Sequence, residues 1–310
     1  MSLTVDAIRT EDCETERAPV RRVISLDAFR GLAVLGMLLV NEKTFGPATP
    51  RQLTHAGWAG GVHLADMVFP WFLFIVGVAI PYAAVSRRGG AAKSHCYYLG
   101  VMRRTAILVL LGCLINSSYA RHPVFDFGVL QLLGFAYLLA ALLYELPRSA
   151  RQGAAAALLI GYWALLRFLP AGAGAGLFTE ARNAARFLNE MYLSKMQLEG
   201  ALNVLPTAAL ALIGTTFGVV LRSALPPERK VRRVLVAGLA LVALGWLWHY
   251  DLPFNKPLWT PSYVAFAAGG GPCCWPCCIM AWTFAGGSGG RCCWWSPAAM
   301  PSSPSSLRSW

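Results

Sequence analysis

Four residues in the first quarter of the chain could support proton or acyl transfer: Asp27, Asn41, His55 and Asp66. Asp27 and Asp66 each sit near one end of an apolar run, in SLDAFRGLAVLGMLLVN and VHLADMVFPWFLFIVGVAI. His55 lies in the polar loop between the runs, three residues before Trp58, and Asn41 closes the first run. An acid at the edge of a membrane-length apolar run is costly, so such residues usually belong to a site. Imidazole takes and gives a proton near neutral pH, which makes His55 the leading candidate for acid–base chemistry or for carrying a group as a nucleophile. Asp27 or Asp66 could orient the ring. Asn41 could donate a hydrogen bond to a developing oxyanion. Structural roles compete with these. A His beside a Trp is often a headgroup anchor. Asp27 with Ser25 could cap the first span, or pair with Arg30 on the same helix face. Asp66 could cap the second.

The elements that must hold these residues are helices in a membrane. The chain has 310 residues, of which 56% are hydrophobic and only 14% charged, about half the charged fraction of a typical soluble domain. Long continuous apolar runs recur, as in AILVLLGCLI and VLVAGLALVALGWLW, where a transmembrane barrel would show short alternating strands. The fold class expected is all-α, a polytopic helical membrane protein. Seven intact spans fall near residues 23–41, 62–85, 100–118, 126–146, 153–170, 204–222 and 233–250, with an eighth that starts near Leu258 and breaks off. The formal charge of +12 does not point to nucleic acid, because the basic residues are spread over short loops. Arg17, Arg21, Arg22, Arg87, Arg88, Lys93, Arg148, Arg151 and the Arg229–Arg233 group fall on one side. The other side is sparser. The positive-inside rule then puts the N-terminus in the cytoplasm and His55 on the opposite side, in the cell's inner membrane. The acidic residues before Arg21 argue against a cleaved signal peptide. Cytoplasmic Arg103, Arg104 and Lys230 are placed to hold anionic phosphates. The stretch from Phe178 to Leu198 reads as an amphipathic surface helix.

Three regions follow: a polar tail at 1–22, a membrane domain at 23–266, and a tail at 267–310 of different character. That tail packs six of the nine cysteines between Cys273 and Cys293. CCWPCC has thiols at a metal-site spacing, but no His or acid completes a ligand set, and no metal is expected. Shifting the codons by one frame turns Cys-Cys and Cys-Trp junctions into Leu and Trp-Pro into Ala. The tail is therefore expected to be out of frame and disordered.

SLDAFRG, LVN, HAGW and ADMVFPWFLFIVG, followed by GVLQLLGFAYL, EGALNVLPTAALALIGTTFGVVLRS and NKPLWTPSYVAF, resemble the heparan-α-glucosaminide N-acetyltransferase family over most of residues 22–266. The resemblance implies a multi-span acetyltransferase with acetyl-CoA as donor and an amino sugar as acceptor. It matches the family's active-site histidine to His55 and its motif asparagine to Asn41. Leu132 departs from the pattern, standing where an Arg is expected. An amino-sugar transporter or permease is the alternative, as is an inactive product of a slipped gene. The partners implied are the amino sugar and the bilayer, with no nucleic acid. Assembly with further copies is left open.

Overall fold

A computed structural model describes residues 24–41, 46, 49–58, 61–87, 91–170, 176, 178–180, 182–193 and 200–285. Among these the fold is all-helical with no strand. In chain order the helices are α1 (Ile24–Asn41), α2 (Leu64–Arg87), α3 (Ala91–Ala120), α4 (Val129–Leu143), α5 (Arg148–Phe168), α6 (Ala184–Leu188), α7 (Val204–Arg222), α8 (Pro227–His249) and α9 (Pro261–Ala285). Among the described residues, four segments are long and apolar enough to cross a bilayer: Leu64–Ala84, Tyr97–Ala120, Ala201–Arg222 and Glu228–His249. The sequence-based spans coincide with helices, although the expected count of seven exceeds these four. α4, at 15 residues, is short for a perpendicular crossing, which takes about 20.

The centre of the bundle is α2 against α7. A membrane gives little hydrophobic drive for helices to associate, so close contact depends on small residues. Gly77 of α2 faces the Ala211 carbonyl, and Gly214 and Gly218 of α7 face the carbonyls of Phe74 and Val78. A Cβ at any of the three would strike backbone. Leu73, Phe74, Ile75 and Val78 of α2 and Leu210 and Leu212 of α7 are completely or almost completely buried there. Around this pair, α4 and α5 pack on α7, α3 packs on α4, α1 packs on α2, and α8 pairs with α9. The outward faces of α3 and α8 carry exposed Leu110, Leu114, Leu239 and Leu247, as lipid-facing helices should.

Two expectations differ from the observed backbone. The eighth span, expected to break off after Phe266, continues as one helix to Ala285. Its early turns lie against α8, where Gly269 meets Gly238, and against Trp71 of α2. Helices of this kind tolerate internal Gly and Pro where neighbours pack closely, and Cys and Trp are themselves apolar. Residues 286–310, with Cys292 and Cys293, lie outside the described residues, as does the N-terminal tail. Among its described residues, the stretch from Phe178 holds the short α6, capped by Asn183 accepting from the Arg186 N–H at 2.8 Å, and a wide turn over Asn189–Leu193, rather than one continuous surface helix.

Candidate active site

Asp66 is the hub of the site. It lies in the first turn of α2 with its side chain 1% exposed. Helix N-termini leave N–H groups unpaired and favour an anion. One Asp66 carboxylate oxygen, Oδ2, accepts from the N–H of His63 at 3.1 Å, which closes the α2 N-terminus, and from the N–H of Ala56 at 3.1 Å. The second oxygen, Oδ1, faces His55 Nδ1 at 2.8 Å and Lys256 Nζ at 3.2 Å. One carboxylate therefore caps the helix, pins the loop and holds the histidine. One oxygen serves the helix end and the loop, and the other faces the histidine and the lysine.

The rest of the scaffold fixes this arrangement. Gln52 Oε1 accepts from the Leu64 N–H at 3.0 Å and docks the Arg51–Leu53 turn on α2. The His63 ring meets the Thr54 carbonyl at 2.9 Å. Tyr263 of α9, fully buried, donates its hydroxyl to the Asp66 carbonyl at 2.6 Å. The loop between α8 and α9 comes up beside the His55 loop, where Asn255 Nδ2 donates to the Trp58 carbonyl at 3.0 Å. Its turn closes through the Trp259 N–H to the Lys256 carbonyl at 3.0 Å, with Trp259 at φ 49°. A bulky residue in the left-handed region is strained. Packing against Phe69 and Tyr263 at 5.7 Å each holds it there. The product of that turn is the position of Lys256, whose Nζ lies 2.9 Å from His55 Nδ1. Burial pushes the Lys256 ammonium below its ordinary range, and the Asp66 carboxylate beside it opposes that shift.

His55 remains 47% exposed in its side chain. With Nδ1 turned into the Asp66–Lys256 pair, Nε2 is the nitrogen left for a ligand. A ring oriented by a buried carboxylate, with its far nitrogen open, is the arrangement that makes imidazole an effective base.

Of the residues singled out by sequence, the structure brings His55 and Asp66 together. Asn41 ends α1 and is exposed. Asp27 is at the other end of α1, about 21 Å away along the axis, paired with Arg30 at 3.7 Å; it does not join His55. Arg103 is exposed. Arg104 lines a cavity of about 390 Å³ with Arg30, Tyr137 and apolar residues of α2, α3 and α4, and points its guanidinium to the Tyr137 hydroxyl at 3.5 Å. Lys230 donates to the Leu221 carbonyl at 2.8 Å, at the end of α7. The cavity follows α2 from Ala83 to Phe72, about 16 Å of helix, and ends about 9 Å along the axis from Asp66. Sequence reasoning missed Lys256, Tyr263 and the cavity role of Arg30. The signal for the first two was the motif NKPLWTPSYVAF, read only as part of the resemblance.

Comparison with known proteins gives a consistent result. Residues 22–250 match a family model described as heparan-alpha-glucosaminide N-acetyltransferase, catalytic. A relative from Homo sapiens named heparan-alpha-glucosaminide N-acetyltransferase is 28% identical over 314 aligned positions, covering 78% of this chain and 46% of the relative. A relative of the same name from Mus musculus is 36% identical over 139, covering 42% of this chain and 20% of the relative. The chain thus spans less than half the length of each relative it matches.

Proposed function

The chain belongs to the heparan-α-glucosaminide N-acetyltransferase family, and from that premise we propose that it moves an acetyl group from acetyl-CoA to the amine of a glucosamine-type sugar. The observation that carries this reading is the buried Asp66 carboxylate on His55 Nδ1, which leaves Nε2 open at the mouth of the α1–α2 loop.

In the reaction, the sugar amine attacks the thioester carbon, the C–N bond forms, and the C–S bond breaks. His55 Nε2 takes the amine proton and passes it to the departing thiolate. Asp66 stabilises the imidazolium formed between those steps. Asn41 donates to the carbonyl oxygen as charge develops on it. The donor enters from the cytoplasmic side, with the N-terminus of the chain on that side. Its phosphates rest on Arg104 and Arg30, and its pantetheine arm follows the cavity along α2 toward Asp66. Arg103 is a secondary contact. Lys230 is the weakest of the three cationic assignments, because its ammonium already serves the end of α7. The membrane is the cell's inner membrane.

The test is thiol release from acetyl-CoA by the purified protein in proteoliposomes, with and without glucosamine. Sugar-dependent thiol release with N-acetylglucosamine as product supports the reading. Uptake of labelled sugar without thiol release assigns the chain to transport instead.

A further inference from the structure

Three close polar contacts at the site cannot all be hydrogen bonds in one arrangement of protons. His55 Nδ1, Asp66 Oδ1 and Lys256 Nζ form a triangle with sides of 2.8, 2.9 and 3.2 Å. The carboxylate requires a proton on Nδ1, which donates to it. The ammonium requires a lone pair on Nδ1, which accepts from it. An imidazole nitrogen offers one or the other, never both.

The consequence depends on which state the ring holds. With the proton on Nδ1, the ring donates to Asp66, the ammonium donates to the same oxygen, and Nε2 is a free base. If Nε2 also takes a proton, the ring becomes a cation in direct contact with a second cation. Lys256 thus opposes the resting imidazolium, while Asp66 keeps the neutral ring turned the useful way. Among the described residues, the other titratable groups near the ring are engaged elsewhere. His63 is turned to the Thr54 carbonyl, and Tyr263 meets the main chain of Asp66.

The geometry points to Lys256 as a positioning residue that opposes the His55 imidazolium before substrate arrives, while Asp66 keeps the proton of the neutral ring on Nδ1 and leaves Nε2 as the base. It acts through His55 rather than on the substrate. It deepens the acetyl-transfer reading and rests on it for its purpose, but its effect on the ring is measurable without turnover. Removing the cation should favour the imidazolium, so the ring should then titrate at higher pH. Two unit charges this close interact strongly at the effective dielectric of a protein surface. Screening at a half-exposed ring weakens that repulsion without removing it.

The experiment follows the nitrogen shifts of isotope-labelled histidine in the full chain in detergent, from about pH 5 to pH 8, across the range where imidazole changes charge. The chain has five histidines, so His55→Gln identifies the His55 signals by their loss. Wild type, Lys256→Met and Lys256→Arg are compared. Lys256→Met should move the His55 titration to higher pH. Lys256→Arg, which keeps a cation, should titrate within a few tenths of wild type and confirms that the loop still folds. The acid limb of kcat/KM for thiol release should move with the ring in Lys256→Met, with KM for acetyl-CoA little changed. An unmoved His55 titration in Lys256→Met overturns the proposal whatever the activity, as does a shift of equal size in Lys256→Arg. A shifted titration in a protein that releases no thiol upholds it and removes the acetyl-transfer reading instead.

Discussion

Asp66→Asn separates the two roles of the α2 carboxylate. The amide has the same shape, and its oxygen can still accept from the N–H groups of His63 and Ala56, both at 3.1 Å from Oδ2. Its NH₂ then replaces Oδ1 and faces His55 Nδ1, formerly 2.8 Å from a carboxylate oxygen, and Lys256 Nζ, formerly 3.2 Å away. The ring can bond to that NH₂ only by accepting at Nδ1, which moves its proton to Nε2 and blocks the base. The imidazolium formed in the reaction also loses its counter-charge. A charge pair about 4 Å apart at an effective dielectric near 20 is worth about 4 kcal/mol, which corresponds to roughly a thousandfold in rate. The usual cost of losing a general base, about 10² to 10⁴ in rate, brackets that figure. The expected result is a fall in kcat of about 10³. The fold should survive, because the helix cap is kept. Lys256 loses a partner but stays partly exposed, so the stability cost should be about 2 kcal/mol, below that of breaking a fully buried pair. Turnover by thiol release and thermal unfolding in detergent read the two effects separately. A variant with kcat within tenfold of wild type would overturn the catalytic role and leave Asp66 as a helix cap alone.

Four further outcomes are expected. Gly214→Leu should force α7 off the Phe74 carbonyl of α2, costing about 2–3 kcal/mol and lowering the unfolding midpoint by several degrees; an unchanged midpoint would contradict the α2–α7 contact. Arg104→Ala should raise KM for acetyl-CoA by about tenfold to a hundredfold but leave acetyl-pantetheine, which lacks the nucleotide phosphates, unaffected. Lys230→Ala should change neither beyond about twofold, since Lys230 serves the Leu221 carbonyl. In a cysteine-free background, a Cys at position 54 should react with an impermeant thiol reagent in intact cells and one at 223 should not; the reverse pattern overturns the topology.

Much of the helical plan was legible because membrane helices announce themselves as continuous apolar runs. Each run read from the sequence became a helix, with ends shifted by a few residues, and the small residues that let α2 and α7 touch lie within those runs. The α9 helix was less legible. The Gly, Pro, Cys and Trp from 267 read as an out-of-frame, disordered tail, yet the helix runs on to Ala285, and its early turns pack on α8 at Gly269. At the site, His55 and Asp66 stood out because they are close in sequence and both polar in apolar surroundings. Asp27 had the same credentials, but a helix carries its two ends far apart, and Arg30 already pairs with it. Lys256 was not legible as a partner. It lies 201 residues from His55, and only the folded loop after α8, held by a strained Trp259, brings the two together. As a basic residue in an outer loop it looked like any other. Arg104 could be picked out as a cation on the side read as cytoplasmic, whereas its sharing a cavity with Arg30 needed α1 packed against α2.

Proton transfer by His55 during acetylation of an amino sugar is read directly from product formation. The quantity is the N-acetylglucosamine formed from acetyl-CoA and glucosamine by the purified protein in proteoliposomes, for wild type and His55→Ala at matched folded protein. Wild type should form product, and His55→Ala should lose at least about a hundredfold in rate. Acetyl-CoA binding should be retained in the variant, because the cavity proposed for the donor lies along α2, α3 and α4. Retention of more than half the wild-type rate by His55→Ala would contradict a proton-transfer role for His55.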